Sequence, residues 1–236
     1  MAKRAGTVLV TGASRGLGLG VAQVLTAAGY DVVAVARGKS KDLTNAIAEA
    51  KRAKKHGALH FVPFDLGQTD AIPELVKNLR EEFGPLFGLV NNAAVGHDGA
   101  LAMMHDSQIE ELIRLNTLSP IVLTKYVVRS MLSERAGRIV NVASIIGFTG
   151  YSGLAVYAAT KASMLGITVN AVAPGFVETS MTQGLVGEQR AQVVRRSALR
   201  RLAEVDDVAN AVEYLLSDKA RNVTGTVLTV DAGATA

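Results

Sequence analysis

The stretch Thr7-Val8-Leu9-Val10-Thr11-Gly12-Ala13-Ser14-Arg15-Gly16-Leu17-Gly18 decides the fold. Five β-prone residues run into a loop with glycines at 12, 16 and 18, and a helical pattern follows from Gly16 to Ala28. A strand that enters a tight glycine turn and leaves as a helix is the first half of a parallel β-α-β unit.

The same alternation repeats along the chain. Strand-like runs are expected at Thr7–Thr11, Val32–Ala36, Leu59–Pro63, Phe87–Val90, Arg138–Ala143, Ile167–Val172 and Thr226–Val230. Helical patterns fill the intervals at Lys41–His56, Ala71–Phe83, Asp106–Leu132, Leu154–Leu165, Gly187–Arg196 and Val205–Leu216. Short runs of Val, Ile and Leu joined by helices predict parallel strands with right-handed crossovers. The expected fold is therefore α/β: a single Rossmann-type, doubly wound domain over residues 1–236, with about seven parallel strands and helices on both faces.

Composition narrows the function classes. Hydrophobic residues make up 49% and charged residues 19% of the 236, and mean hydropathy is +0.25. That suits a buried parallel sheet together with a subunit interface, so a homo-oligomer, dimer or tetramer, is expected. No run approaches the roughly 18 apolar residues of a membrane span. The opening Met1–Val10 feeds straight into the glycine loop, which reads as a strand and not a secretory signal. Zero cysteines exclude disulfides, thiolate metal sites and cysteine nucleophiles, and fit a cytoplasmic address. The net charge is +4 and the pI about 9.4. With 5% aromatics and no Trp, nucleic-acid binding is the weaker explanation. The Lys51–Lys55 run reads as a solvated helix face, and an anionic small molecule or acidic carrier accounts for the charge equally well. His56 and His60 have metal-like spacing, but Gly57 between them puts them on different elements, so no metal is expected.

The glycine loop carries the first chemistry. Its backbone N–H groups and the positive end of the following helix suit an anionic pyrophosphate. The spacing T-G-x-x-x-G-x-G lacks the Gly-Lys-Ser/Thr of a triphosphate P-loop, so a dinucleotide is indicated. A carboxylate at the end of the second strand would favour NAD. Here that strand ends in Val35-Ala36-Arg37-Gly38-Lys39, and Arg15 lies in the loop, a cation set matched to the 2′-phosphate of NADP(H). The alternative for Arg37 and Lys39 is ordinary surface charge. Tyr157 and Lys161, four apart on a helix, share one face. A free phenol has a pKa of about 10, and a neighbouring ammonium favours phenolate. Ser144 falls just past a strand's carboxyl end, where ligands bind in such sheets.

Thr11-Gly12-Ala13-Ser14-Arg15-Gly16-Leu17-Gly18, Asn91-Asn92-Ala93, Ser144, Tyr157-x-x-x-Lys161 and Pro174-Gly175 together resemble the short-chain dehydrogenases/reductases across essentially the whole chain. Gly137–Asn141, Ala173–Thr179 and the ending Val223–Gly233 look most like the 3-oxoacyl-[acyl-carrier-protein] reductases. The resemblance implies a catalytic set of Asn116, Ser144, Tyr157 and Lys161. Tyr157 would protonate the nascent alkoxide and Ser144 would hold the carbonyl oxygen. Lys161 would tune the tyrosine and bind the nicotinamide ribose, and Asn116 would anchor a proton-relay water. From sequence alone Asn116 reads equally as a polar residue inside a helix. The implied NADP(H) contacts are Gly12, Ser14, Arg15, Gly16, Leu17, Gly18, Arg37, Asp65, Leu66, Asn91, Ala93, Tyr157, Lys161, Pro174, Gly175, Val177 and Thr179. Residues 178–203 would form a substrate lid. Arg129 matches an arginine that docks the acidic acyl carrier protein, although it reads equally as a solvent-facing helix charge. Arg195, Arg196, Arg200 and Arg201 would either attract that carrier or keep the lid soluble. The implied reaction is NADPH-dependent reduction of a 3-oxoacyl thioester in fatty-acid synthesis. The competing readings are another carbonyl reductase (acyl-CoA, sugar, steroid or xenobiotic ketone) and a non-catalytic NADP(H)-binding protein.

Two departures from the family pattern stand out. Ala94 replaces a usual glycine and is expected to be tolerated, with slight crowding of the nicotinamide pocket. After Lys161 only Ala162–Gly166 precede the next strand-like run, whereas relatives continue this helix for several more turns. Residues missing from the chain between Met164 and Ile167 explain this better than a true deletion. A Cα–Cα spacing far from about 3.8 Å across one bond there would mark the gap, and an intact mass agreeing with 236 residues would refute it.

Overall fold

A computed structural model describes residues 6–53, 57–166, 170–179, 182 and 187–236. The strands are β1 (Thr7–Thr11), β2 (Asp31–Ala36), β3 (Leu59–Pro63), β4 (Leu86–Asn91), β5 (Arg138–Val142), β6 (Asn170–Pro174) and β7 (Thr226–Val230). They form one seven-stranded sheet in the order β3-β2-β1-β4-β5-β6-β7, with every pair parallel. The order reverses between β1 and β4. At that point neighbouring crossovers run to opposite sides and open a crevice at the carboxyl ends of the strands.

The helices are α1 (Gly16–Ala27), α2 (Lys41–Arg52), α3 (Ile72–Phe83), α4 (Asp106–Ile113), α5 (Ser119–Glu134), α6 (Ala155–Gly166), α7 (Gly187–Arg196) and α8 (Val205–Leu216). Residue alternation sends the sheet's side chains to two cores. Val8, Val10, Val32 and Ala34 pack with Leu25 of α1 and Val212 of α8. Leu9, Val33 and Leu89, from the same strands or their neighbours, pack on the opposite face with Leu79 of α3 and Val127 of α5. The strands between the two edges are covered on both faces, which explains why they read as continuous apolar runs, while the edge strands β3 and β7 are half exposed. Helix α8 begins with a reciprocal capping box in which Asp207 accepts the Glu204 backbone N–H at 2.9 Å. That hydrogen bond, ahead of Arg201, holds the Asp207 carboxyl below its ordinary pKa.

The segment expected as one helix over Asp106–Leu132 differs. Helix α4 stops at Ile113, a π-turn spans Arg114–Leu118, and α5 follows to Glu134. One extra residue in a turn does not interrupt the apolar spacing, so periodicity passed straight over it. Helix α6 is short, as read. Its apolar anchor is small: Met164 packs with Ala143 and Ala171, and Leu165 lies against them. The spacing anomaly was expected near Met164–Ile167: Met164–Gly166 close α6, and Ile167–Val169 lie outside the described residues, as do Lys54–His56 and residues 180, 181 and 183–186 of the expected lid.

Candidate active site

The cofactor end begins where β1 meets β4. The Thr11 hydroxyl donates to the Val90 carbonyl at 3.3 Å and accepts the N–H groups of Asn92 and Ala93, each at 3.0 Å. Asn92 returns the tie by donating from Nδ2 to the Thr11 carbonyl at 2.9 Å. These bonds hold the glycine loop against Asn91-Asn92-Ala93. Close approach then excludes side chains. A Cβ on Gly18 would lie 2.4 Å from the Gly12 carbonyl oxygen and 2.4 Å from Asn92 Nδ2. Gly12 has φ +67° and would put a Cβ 2.8 Å from the Ala93 Cα. The loop is thus a cradle of bare backbone at the start of α1.

The Ser40 hydroxyl caps α2 by accepting the Leu43 N–H at 3.0 Å and donates to the Ser14 carbonyl. The β1–α1 and β2–α2 loops are therefore joined. This tie brings Arg15, Arg37 and Lys39 to the same end of the sheet, all exposed and without an ion-pair partner among the described residues. No carboxylate follows β2 until Asp42 inside α2. Asp65 turns the chain after β3, accepting the Gly67 N–H at 2.9 Å, and Leu66 beside it is buried. The bare cradle, the loose cations and the missing acid fit a dinucleotide carrying a further phosphate on its ribose.

The reacting end lies beyond β5 and β6. Ser144 follows β5 with its hydroxyl accepting the Ile146 N–H at 3.2 Å. Tyr157 and Lys161 occupy one face of α6, with the Lys161 ammonium 5.8 Å from the Tyr157 ring centre. Lys161 is 5% exposed and donates at 2.8 Å to the carbonyl of Val142, one residue past the last β4–β5 register pair. Burial drives both groups towards neutrality, with Tyr157 pushed up to about 12 and Lys161 down to about 8. The expected lowering of the tyrosine by its lysine does not appear in the ligand-free chain, because desolvation of the phenol outweighs a cation turned towards a backbone carbonyl.

Asn116 sits in the π-turn, 2% exposed, with its amide fully engaged. Its Oδ1 accepts the Val95 N–H at 2.9 Å, and its Nδ2 donates to the Val95 carbonyl at 2.9 Å and to the Thr160 hydroxyl at 3.2 Å. Asn91 is buried as well, donating to Thr124 Oγ1 at 3.1 Å and to Asn141 Oδ1 at 2.9 Å. These bonds tie β4 to α5 and β5, and the Asn91 Oδ1 has no partner among the described residues. Ala94 is absent from the residues with positive φ, so its backbone makes no demand for glycine.

Pro174 ends β6, and Gly175 passes close to β7, donating to the Val230 carbonyl at 3.0 Å. Val177 pairs with Ala203 in an isolated bridge, and Thr179 donates its N–H to Thr182 Oγ1 at 3.0 Å. The Phe176 ring lies 5.7 Å from Tyr151, which with Phe148 is exposed between Ser144 and Tyr157 in sequence. Arg129 is exposed on α5, its guanidinium 4.9 Å from the Tyr126 ring centre. Thr11, Asn92 and Thr160 were not singled out as site residues in the sequence. The first two lie inside quoted motifs; Thr160 gave no signal beyond its place between Tyr157 and Lys161.

Comparisons with known proteins agree with this architecture. The short chain dehydrogenase family pattern matches residues 6–190. The chain is 38% identical over 240 aligned positions to the 3-oxoacyl-[acyl-carrier-protein] reductase FabG of Escherichia coli (strain K12), covering 95% of each protein. Its counterpart in Staphylococcus epidermidis is 37% identical over 241 positions, covering 96% of this chain and 98% of the relative. Both alignments are longer than the 236-residue chain, so these relatives carry residues with no counterpart here. Among solved structures, an actinorhodin polyketide ketoreductase variant with NADPH superposes with a TM-score of 0.90 at 31% identity, covering 99% of each chain. A Burkholderia cenocepacia short chain dehydrogenase in complex with NADP gives 0.89 at 28% identity, covering 99% of each chain.

Proposed function

The chain belongs to the short-chain dehydrogenase family and is an oxidoreductase, and on that premise we propose that it is an NADPH-dependent reductase of 3-oxoacyl thioesters carried on acyl carrier protein, as in fatty-acid synthesis. The observation that carries the reading is the joining of two ends on one sheet edge. A glycine cradle flanked by Arg15, Arg37 and Lys39, which have no ion-pair partner among the described residues, stands at one end, and a desolvated Tyr157–Lys161 pair on α6, packed against the turn that follows Ser144, at the other.

When bound, NADPH supplies the hydride. The cradle residues Gly12, Ser14, Arg15, Gly16, Leu17 and Gly18 would hold its pyrophosphate, and Arg37 its 2′-phosphate. Asp65 and Leu66 would flank the adenine, Asn91 and Ala93 would floor the crevice, and Pro174, Gly175, Val177 and Thr179 would close the nicotinamide end. The Ser144 hydroxyl accepts the Ile146 N–H on a lone pair at 3.2 Å, which leaves its proton to donate to the substrate carbonyl oxygen, where negative charge develops. A Tyr157 phenol with a pKa near 12 is fully protonated at neutral pH and gives its proton to that oxygen. Lys161 replaces the proton on Tyr157, and Asn116 holds the path to solvent through the π-turn. Residues 178–203 act as the lid, with the whole of 1–236 as one domain. Exposed Arg129 and the arginines at 195, 196, 200 and 201 give an acidic carrier its docking charge. The protein works in the cytoplasm as a homodimer or homotetramer.

A second reading, a reductase of bulkier ketones, is favoured by exposed Phe148 and by Tyr151 packed on Phe176. The test is a panel of carrier-linked and CoA-linked 3-oxoacyl thioesters against simple and cyclic ketones, with NADPH and NADH. The main reading expects the highest kcat/KM for a carrier-linked thioester with NADPH. A preference for cyclic ketones would replace it with the second.

A further inference from the structure

The Thr160 side chain is 1% exposed and lies between Tyr157 and Lys161 in sequence. Its hydroxyl donates to the Tyr157 carbonyl at 2.8 Å and accepts from Asn116 Nδ2 at 3.2 Å. A helical threonine bonded back to its own preceding turn gains little for the helix. Here a lone pair of the hydroxyl meets the last free N–H of a buried amide whose other groups are bound to Val95. The hydroxyl thus ties the reacting face of α6 to the π-turn, and Asn116 carries the tie on to the loop after β4.

A second strut runs beside it. Ser163 Oγ lies 3.0 Å from Thr117 Oγ1 and 2.7 Å from the Thr160 carbonyl. Farther along, Asn141 Nδ2 donates to the Met164 carbonyl at 3.2 Å. These polar contacts matter because α6 is only twelve residues long and rests on a small apolar cluster around Met164. A short helix with so little buried apolar surface is free to roll or slide unless directional bonds hold it. Rotation by a fraction of a turn would carry Tyr157 and Lys161 away from Ser144.

We infer that Thr160 is a positioning residue, whose hydroxyl locks the Tyr157–Lys161 face of α6 to Asn116 and so sets the geometry of proton transfer. The inference rests on the reading of Tyr157 and Lys161 as the reacting pair. Replacing Thr160 by Val keeps the shape but strands the Asn116 N–H, and Thr160→Ser keeps the hydroxyl.

Thr160→Val should lower kcat about tenfold or more with little change in KM for the ketone, since small displacements of reacting groups are costly. It should also expose Lys161 to an amine-acylating reagent, read by mass spectrometry on the ligand-free protein. Thr160→Ser should restore both the kcat and the protection. If Thr160→Val does not fold, Thr160→Ala, which leaves room for water at the amide, takes its place. Wild-type kcat and Lys161 protection in a folded Val or Ala variant would overturn the inference, as would failure of Thr160→Ser to restore them at an unchanged unfolding temperature. The lysine readout needs no substrate. A wild-type protein that reduced no ketone would sink the functional reading, while lysine protection still decided the role of Thr160.

Discussion

The two ends of the crevice are built on opposite physical terms. At the β1–β2 end, charge is exposed: Arg15, Arg37 and Lys39, with no ion-pair partner among the described residues, stand in solvent around a glycine loop. At the β5–β6 end, charge is suppressed. Burial shifts both Tyr157 and Lys161 towards their neutral forms, and the polar groups around them are bonded to one another. The first end suits capture of an anion, which needs long reach and little precision. The second suits proton transfer, which needs fixed geometry and displaced pKa values. Mutations should therefore act on binding at one end and on rate at the other.

The sharpest separation comes from Tyr157→Phe. It removes the proposed proton donor but keeps the ring and every group proposed to hold a phosphate, so kcat should fall by about a hundredfold or more while NADPH affinity changes little. Comparable turnover in the variant, measured by NADPH consumption, would move the proton donor elsewhere.

Next in size is a pH effect on stability. Between about 8 and the ordinary lysine value of 10.5, the unfolded chain holds a proton on Lys161 that the folded chain does not. Stability should therefore rise with pH from about 8 to about 10, by about 2 kcal/mol at most. Above 10 the sign reverses, because folded Tyr157 keeps its proton to about 12 while the unfolded phenol loses it. Denaturant unfolding of Lys161→Met across this window should lack the rise; an identical slope in both proteins would mean the ammonium is not desolvated.

At the other end, Arg37→Ala should weaken NADPH by about tenfold and leave NADH nearly unchanged, a single charge-assisted contact being lost. Equal losses for both cofactors would remove the 2′-phosphate argument. The smallest effect is expected for Arg201→Ala, whose 3.3 Å pair with Asp207 is half in solvent. Its loss should cost less than about 0.5 kcal/mol in thermal or chemical unfolding.

How much of this was legible in the sequence follows the same division. Strands β1, β3 and β7 fall on the residues expected: β1 is a fully buried run that meets Gly12, β3 ends on Pro63, and β7 keeps a β-branched Thr-Val-Leu-Thr-Val pattern although it is half exposed at the sheet edge. The glycine cradle was legible because steric exclusion admits one residue type. The π-turn at Arg114–Leu118 was not, since the apolar pattern of α4 and α5 continues across it. The bonds of Asn116 to Val95 and Thr160 join residues 21 and 44 positions apart, and no local rule announces such a pairing. The direction of Lys161, towards the Val142 carbonyl, depends on where β4 leaves the sheet. The shortness of α6 was plain from residue counting. Its consequence, a helix held by polar struts in place of apolar length, needed the packing.

The central claim is that these two ends act on one ketone and one NADPH. The most direct measurement is the rate of NADPH consumption by the purified protein with a 3-oxoacyl thioester, run beside NADH at equal concentration. The account predicts turnover with NADPH, at a kcat/KM well above that with NADH. Tight NADPH binding with no consumption of either cofactor on any thioester or ketone would contradict it.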